Sequence, residues 1–349
     1  MHYTSRVPVK RNDSRAVLRE ASKALADGKL TKAEWTKLEK QLSQDGQTVS
    51  ERRTLASVAR ANPEALTPAA KTSMQAFLRG PEADSFGGTA KTVPDQGPLD
   101  DPGLPRGTHA QYAQVQGELF VGGAKATDVV QGTLGDCYLL APLCALAQQR
   151  PDFLKSLVRE ESDGTFVVTL HLRGRPQEVR VDADLPVNRG GFSAARSTSD
   201  RELWPAIVEK AVAQALGSYQ SLALGGDPSA AITLLTGQRA LYQDLSAVRL
   251  SDHDKLFADL REGLLKKRDI VVAGTATRAN VETLGREGLV PGHAYAVLAA
   301  FERDGEKMVR LRNPFGEIEP KGDEKHDGVF DMHFEKFMSL FTSLDATYG

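Results

Sequence analysis

Cysteine is nearly absent: the 349 residues contain two, Cys137 and Cys144, both within one apolar stretch. Two thiols on one short segment cannot staple a fold, so a disulfide framework is excluded. An excess of charge is missing as well. The 44 basic and 46 acidic side chains leave a formal charge of −2, which supplies no long-range field for nucleic acid or an anionic membrane. Neither partner is expected. Nowhere does an uninterrupted run of about 18 apolar residues occur, the length a membrane span requires. The segment from Met1 to Ser14 is polar and basic and has no apolar core of a secretory signal. These absences point to a reducing cytoplasm and leave open only export by a route without such a signal.

What is present is the balance of a soluble globular protein, 40% hydrophobic and 26% charged, long enough for two or three packed units. From Ser14 to about Leu78 the apolar residues recur at helical spacing: Val17, Ala21 and Leu25, then Trp35, Leu38 and Leu42, then Leu55 and Val58, then Met74 and Phe77. Residues 1–78 therefore read as a small all-helical unit. Within it Asp27-Gly28-Lys29-Leu30 followed by Glu34 resembles the second half of an EF-hand loop. Lys23 and Leu25 stand where early oxygen ligands belong, so a helix-turn-helix without metal is the better reading. Residues 79–106 are rich in Gly and Pro with hardly any apolar periodicity, and read as a linker.

Beyond the linker, Leu134 to Ala147 is apolar enough for a buried helix, with Pro142 near its first turns as a source of a kink. Strand periodicity follows at Thr165–Leu172, Glu178–Val181, Ile270–Ala273, Ala294–Ala299 and Lys307–Arg312. The last two are joined by Arg303-Asp304-Gly305, a hairpin signal. Helical patterns cover Leu203–Leu216 and Lys255–Leu265. A helix-rich half followed by a strand-rich half argues for an α+β fold.

The chemistry concentrates in Gln131-Gly132-Thr133-Leu134-Gly135-Asp136-Cys137-Tyr138. A Gly-Asp turn runs straight into a helical run, which predicts Cys137 at the first turn of a helix. There the unpaired N–H groups and the positive end of the dipole favour a thiolate. Gln131, six residues upstream, either caps the turn or aims its amide, with the Cys137 N–H, at a tetrahedral oxyanion. Cys144 has no loop, terminus or polar neighbours and is assigned to packing. Of seven histidines, His293 has the promising setting, Pro291-Gly292-His293-Ala294-Tyr295, at the start of a strand. An antiparallel return brings Asn313 of Arg312-Asn313-Pro314-Phe315-Gly316 to its side, where an amide oxygen would fix the imidazole tautomer. Cys137 as nucleophile, His293 as base and Asn313 as its orienting partner would make a thiol hydrolase, although a lone histidine on a strand is more often structural and a cysteine on a helix more often core.

At these residues the sequence resembles the protease core of the calpain family. Phe120-Val121-Gly122-Gly123-Ala124 leads through Asp128 to the nucleophile segment, with Tyr138 where calpains usually have tryptophan. Val181-Asp182-x-x-Leu185-Pro186, Glu202-Leu203-Trp204, Glu209-Lys210-Ala211, Gly217-Ser218-Tyr219, Gly225-Gly226, Arg312-Asn313-Pro314-Phe315-Gly316-Glu317 and Asp327-Gly328-x-Phe330 follow in order. The resemblance covers about residue 107 to the end. It implies a two-lobed papain-like core, with a helical cysteine lobe over 107–226 and an antiparallel, sheet-rich histidine and asparagine lobe over 227–349. A protein substrate would lie in a cleft flanked by Gly226 and Gly292 and walled by Phe315.

The resemblance also implies dependence on Ca2+, with one site built from the carbonyls of Val121 and Gly123 and the carboxylates of Asp128 and Glu202. A second family site, around Glu319, Asp323 and Asp327, is damaged by a shortened connection and by Val329 where an acid is usual. Phe315 replaces a tryptophan that in the family lies between cysteine and histidine when the lobes are misaligned, so calcium dependence is expected to be partial. No calmodulin-like or C2-like domain is expected after the core, because the sequence stops at Gly349. The helical unit lies outside the resemblance, as an inhibitory or docking module or a trimmed segment. Tyr138 and Phe315 also leave room for a calpain-like scaffold that binds without turnover, and product analysis would separate hydrolysis from acyl transfer to an amine.

Overall fold

The computed structural model describes residues 99–347, apart from 106–109, 188–193, 200, 277–280 and 321–325. Nearer the N-terminus it describes 14–25, 29–43, 55, 58, 64–71, 73 and 93–94. In chain order the strands are β1 (Val93–Pro94), β2 (Gln111–Gln114), β3 (Val129–Val130), β4 (Val158–Glu160), β5 (Phe166–Leu172), β6 (Arg175–Val181) and β7 (Asp184–Val187). They continue as β8 (Arg196–Ser197), β9 (Ala240–Asp244), β10 (Val271–Thr275), β11 (Ala294–Arg303), β12 (Glu306–Arg312), β13 (Val329–His333) and β14 (Phe341–Thr347). The α-helices are α1 (Ser14–Ala24), α2 (Lys32–Ser43), α3 (Cys137–Gln149), α4 (Pro151–Leu157) and α5 (Trp204–Ala215). After them come α6 (Tyr219–Leu222), α7 (Pro228–Thr236), α8 (His253–Glu262), α9 (Val281–Arg286) and α10 (Phe334–Leu340).

Helix α3 begins where Gly135-Asp136 stops and a run of Leu and Ala takes over. It is apolar on every side because it is enclosed on every side: Leu139 through Ala147 are all buried. Pro142 lies inside it, and the helix runs on to Gln149. One face of α3 rests on β10 and β11, part of a six-stranded antiparallel sheet ordered β13-β12-β11-β10-β14-β9. The central strand β11 shows why. Ala294, Ala296 and Leu298 pack into the cluster built around α3, α5 and α7, while Tyr295 and Val297 face the second core with Val309, Leu311 and Phe330. Alternate side chains of one strand thus serve two cores, and the sheet face closes the cysteine lobe.

The expected strands are present as β5, β6, β10, β11 and β12, the last two joined through Asp304 and Gly305 at φ +53° and +81°, as a tight hairpin turn requires. Helices α5 and α8 fall where the helical patterns lie, α8 passing into a π-helical turn at Gly263–Lys267. The α+β class is therefore present, although the first lobe also carries two three-stranded sheets, β4-β5-β6 and β1-β2-β7.

Part of the expected linker is bound structure. Asp101 forms a 2.5 Å ion pair with buried Lys210, the Pro102 carbonyl accepts from the Tyr112 hydroxyl at 2.5 Å, and Gly103 bridges to Ser218. These polar anchors carry no apolar periodicity, which is why composition alone reads as a linker there. In the N-terminal unit, α1 packs on α9, and Trp35, Leu38 and Leu55 share one buried cluster with Val290, Phe315 and Ile318 of the second lobe. Glu34 is engaged at the start of α2: its carboxylate accepts from the Thr31 N–H at 2.8 Å, and the Thr31 hydroxyl accepts from the Glu34 N–H at 3.3 Å, a capping box. Asp27 and Gly28, the heart of the EF-hand-like stretch, lie outside the described residues.

Candidate active site

Cys137 is the first residue of α3 and a half-buried free thiol. The Asp136 carbonyl accepts from Leu139 N at 2.8 Å and Leu140 N at 3.1 Å, which closes the first turn of the helix. The Asp136 carboxyl does not cap its own helix. It lies within electrostatic reach of Glu209 of α5, and neither residue is exposed. Burial, then the Asp136 charge, push the Glu209 carboxyl well above the ordinary value of 4.5.

Gln131 is buried on the loop before α3. Its backbone N–H donates to the Pro314 carbonyl at 2.8 Å, and its side-chain amide donates to the Leu134 carbonyl at 2.8 Å. That bond matches the turn-capping reading, yet it uses one of two amide hydrogens.

His293 precedes β11 and is held by its backbone: its N–H donates to the Thr275 hydroxyl at 3.1 Å and its carbonyl accepts from Thr275 N at 3.0 Å. Imidazole Nε2 lies 2.9 Å from Asn313 Oδ1. The roles in this contact follow from Asn313's other bonds. Its Nδ2 donates to the Ile318 carbonyl at 2.9 Å and its Oδ1 accepts the Phe315 N–H at 3.0 Å. With the amide orientation set, Oδ1 is an acceptor, Nε2 carries the hydrogen, and Nδ1 of neutral His293 is the basic nitrogen. The Tyr295 ring meets His293 edge-on at 5.0 Å and Phe315 lies tilted at 4.5 Å. Burial raises the Tyr295 hydroxyl pKa, and its hydroxyl accepts from the Val290 N–H at 2.8 Å. Cys137 thus stands at a helix start, His293 just before a strand, and Asn313 directly after the strand that pairs with it.

Gly226 and Gly292 occupy different surroundings. A Cβ on Gly226 would stand 2.4 Å from the Tyr138 ring, so the glycine makes room for that tyrosine, whose hydroxyl donates to the Leu222 carbonyl at 3.2 Å. Burial, then the Asp136 and Cys137 charges, raise the Tyr138 pKa to about 12. Gly292 has φ +58° and donates its N–H to the Ala276 carbonyl at 2.9 Å. Phe315 is 1% exposed and covered by the N-terminal cluster.

Of the four residues expected to hold calcium, Glu202 is bonded to the Val121 backbone and lies within electrostatic reach of Asp128, with Gly123 two residues beyond Val121. Glu202 accepts from Val121 N at 2.8 Å and from the Ser197 hydroxyl at 2.6 Å, and Asp128 accepts from Lys125 N at 2.7 Å. Asp128 is raised to about 6 by burial, then by the Glu202 charge. Two buried carboxylates that repel each other beside the glycine turn at Gly122 and Gly123, φ +69° and +94°, form an oxygen donor set suited to a hard divalent cation. Among the described residues no cluster of three or more His, Cys, Asp or Glu side chains forms a metal cage, so carbonyl oxygens would have to complete it. At the second family site Glu319 accepts from His326 N at 3.1 Å, with the imidazole 3.8 Å away. Asp327 accepts from Val329 N at 2.9 Å, and Asp323 lies outside the described residues.

Arg312 has a role that its place in a motif did not reveal. It is fully buried and binds the first lobe, with Nη2 donating to the carbonyls of Thr127 at 3.0 Å and Val129 at 2.8 Å. Cys144, assigned to packing, is buried and also accepts from Arg312 Nη1 at 3.2 Å. No sequence periodicity announces this, since Arg310 on the same strand face is exposed and pairs with Asp331. Asp136 and Glu209 were likewise visible only as motif members.

Residues 108–326 match the calpain family cysteine protease domain. Calpain-8 of Rattus norvegicus is 33% identical over 258 residues, covering 65% of this chain and 36% of its own length. The calpain-1 catalytic subunit of Mus musculus is 30% identical over 258 residues, with the same two coverages of 65% and 36%. The calpain-2 catalytic subunit of Gallus gallus is 32% identical over 212 residues, covering 58% of this chain and 30% of its own length. This chain thus spans about a third of the length of the curated relatives it matches. Among the described residues no helix is long and apolar enough to cross a membrane. With the protease-domain match extending over most of the chain, from before Cys137 to beyond Asn313, the chain belongs to the calpain family of cysteine proteases.

Proposed function

We propose that this chain is a cysteine-type endopeptidase that cleaves protein substrates through Cys137, His293 and Asn313. The observation that carries the reading is the contact between His293 Nε2 and Asn313 Oδ1 at 2.9 Å, because it leaves Nδ1 as the base. His293 takes the Cys137 proton, and the thiolate attacks the peptide carbonyl. The Cys137 N–H and the second amide hydrogen of Gln131 hold the oxyanion, each such donor contributing about 10²–10³ in rate. Imidazolium then protonates the leaving amine, and water hydrolyses the thioester. Substrate passes between the Gly226 and Gly292 rims with Phe315 behind the imidazole.

Calcium acts as regulator in this reading, held by the Val121 and Gly123 carbonyls and the Asp128 and Glu202 carboxylates. The raised Asp128 pKa of about 6 supports it, since a cation there relieves the repulsion between two buried carboxylates. It would tie Glu202 to the loop that leads to Gln131. The second site is not part of the proposal, and the free thiols suit a reducing cytoplasm.

A casein assay with calcium, with chelator and with a thiol alkylator tests nucleophile and metal together. Cleavage requires Cys137 and increases with calcium. Cleavage that persists in Cys137→Ala overturns the assignment. A non-catalytic scaffold is separated by a thiol probe, because only an activated site labels Cys137 well ahead of Cys144.

A further inference from the structure

Arg312 stands out among the charges that the catalytic chemistry does not use. Its guanidinium is 0% exposed, and among the described residues its partners are carbonyl oxygens and a thiol rather than a carboxylate. Nη2 donates to Thr127 O and Val129 O, and Nη1 to Cys144 Sγ and, at 3.3 Å, to Asn313 O. Burying a cation on neutral acceptors is expensive, and an apolar residue of similar volume would often stabilise a fold as well or better. Stability is therefore a poor account of this residue. What a guanidinium supplies here is geometry, a planar fork with several donors in fixed directions.

The partners of that fork define a frame. Thr127 and Val129 belong to the segment that leads into Gln131, whose own N–H donates to Pro314 O at 2.8 Å. Asn313 is therefore flanked on both sides by ties to this segment, one from the Arg312 side chain and one through the Pro314 carbonyl. Cys144 is two turns along α3 from Cys137, so the third contact fixes the position of the nucleophile's helix. Arg312, on the strand that delivers Asn313, thus touches the oxyanion loop and the cysteine helix at once.

We propose that Arg312 is a positioning residue that locks the half of the molecule carrying Gln131 and Cys137 in register with the half carrying His293 and Asn313. The proposal rests on the endopeptidase reading for its kinetic consequence, though not for its structural one. Without the fork the seam between β12 and the segment Thr127–Gln131 loosens, and the sulfur and imidazole lose alignment. A misplacement of about 1 Å costs on the order of 10²-fold in rate. Because Arg312 touches no substrate, the loss falls on kcat rather than KM.

The test uses the full chain with Arg312→Lys, which keeps the charge but not the fork, and Arg312→Gln, which removes both the charge and the cost of burying it. Three quantities are measured: kcat and KM on a casein-derived peptide, the pH dependence of Cys137 alkylation by iodoacetamide, and the alkylation rate of Cys144 in the folded protein. Arg312→Gln is expected to fold with an unfolding midpoint no lower than the parent's, yet to lose about 10²-fold in kcat with KM within about 3-fold. In both variants Cys137 reverts toward the titration of an ordinary thiol near pH 8.5, and Cys144, sealed in the parent, becomes at least about 10-fold more reactive as local opening increases. A folded variant with parental kcat, the parental Cys137 profile and a protected Cys144 overturns the proposal. If the parent's Cys137 already titrates as an ordinary thiol, the endopeptidase reading falls, and Cys144 exposure alone then decides whether Arg312 closes the seam.

Discussion

Asn313 Oδ1 receives two hydrogens, one from the Phe315 backbone at 3.0 Å and one from His293 Nε2 at 2.9 Å. The amide thereby holds the imidazole in one tautomer while the chain just beyond it supplies the ring that lies against the same imidazole. Asn313→Ala removes the acceptor and frees both tautomers. The expected loss in kcat is about 10²-fold or more, with the fold retained, by analogy with the cost of a wrong tautomer in hydrolytic triads. Steady-state kinetics beside circular dichroism check it. Undiminished kcat would show that the histidine is oriented by something else.

The raised carboxyl of Glu209, buried beside Asp136, makes stability depend on pH. Glu209 binds its proton more tightly when folded than at the ordinary value of 4.5. Between that value and the raised one, the folded state holds more protons than the unfolded state, so this pair's contribution is full at low pH and declines as pH rises. Glu209→Gln keeps a donor to Asp136 without a titrating proton. Its unfolding midpoint should gain on the parent's as pH rises above the ordinary carboxyl value of 4.5. A constant difference over that rise would count against a raised Glu209 carboxyl.

Gly226→Ala forces the Tyr138 ring aside, since the added methyl falls 2.4 Å from a ring carbon. Overpacking of this kind costs about 1–3 kcal/mol, and denaturant titration should show it. Tyr138→Phe in the same background loses only the part-buried bond to the Leu222 carbonyl and should cost less than about 1.5 kcal/mol.

Removal of calcium offers a further check. Calcium should raise the parent's thermal midpoint by mass action, and chelator should reverse the shift. Asp128→Asn relieves the repulsion with Glu202, so its calcium-free midpoint should match or exceed the parent's while the response to calcium disappears. An unchanged calcium response in this variant would move the ion elsewhere.

Trp35 reports on the N-terminal unit. It is 1% exposed in a cluster that includes Phe315, the neighbour of the imidazole. Trp35→Ala should destabilise that unit by about 3–5 kcal/mol. If the unit braces the histidine side of the site, kcat falls with it, whereas a rise in kcat would mark the unit as a cover that must open. Parallel measurement of unfolding and turnover distinguishes the two.

Local patterns in the chain were sufficient for several elements. The Gly135-Asp136 break followed by an apolar run placed Cys137 at a helix start, and alternation at Ala294–Ala299 and Lys307–Arg312 returned Asn313 to His293 through a tight turn. Such features are legible because backbone geometry converts spacing directly into a face or an end. Part of the Gly- and Pro-rich stretch is less legible, because Asp101, Pro102 and Gly103 are anchored by polar contacts to Lys210, Tyr112 and Ser218, which leave no periodic trace.

The sequence by itself determined that a thiol stands at a helix N-terminus and a histidine at the start of a strand, since both follow from short-range rules of turn, period and cap. Only the tertiary structure decided what holds those groups together: the buried Arg312 fork across the seam, the Asp136–Glu209 pair behind the nucleophile and the Asn313 amide orientation that selects Nδ1. Each depends on partners far apart in the chain, where burial makes a polar contact strong and its omission costly, and no local pattern encodes which distant carbonyl or carboxyl will be met.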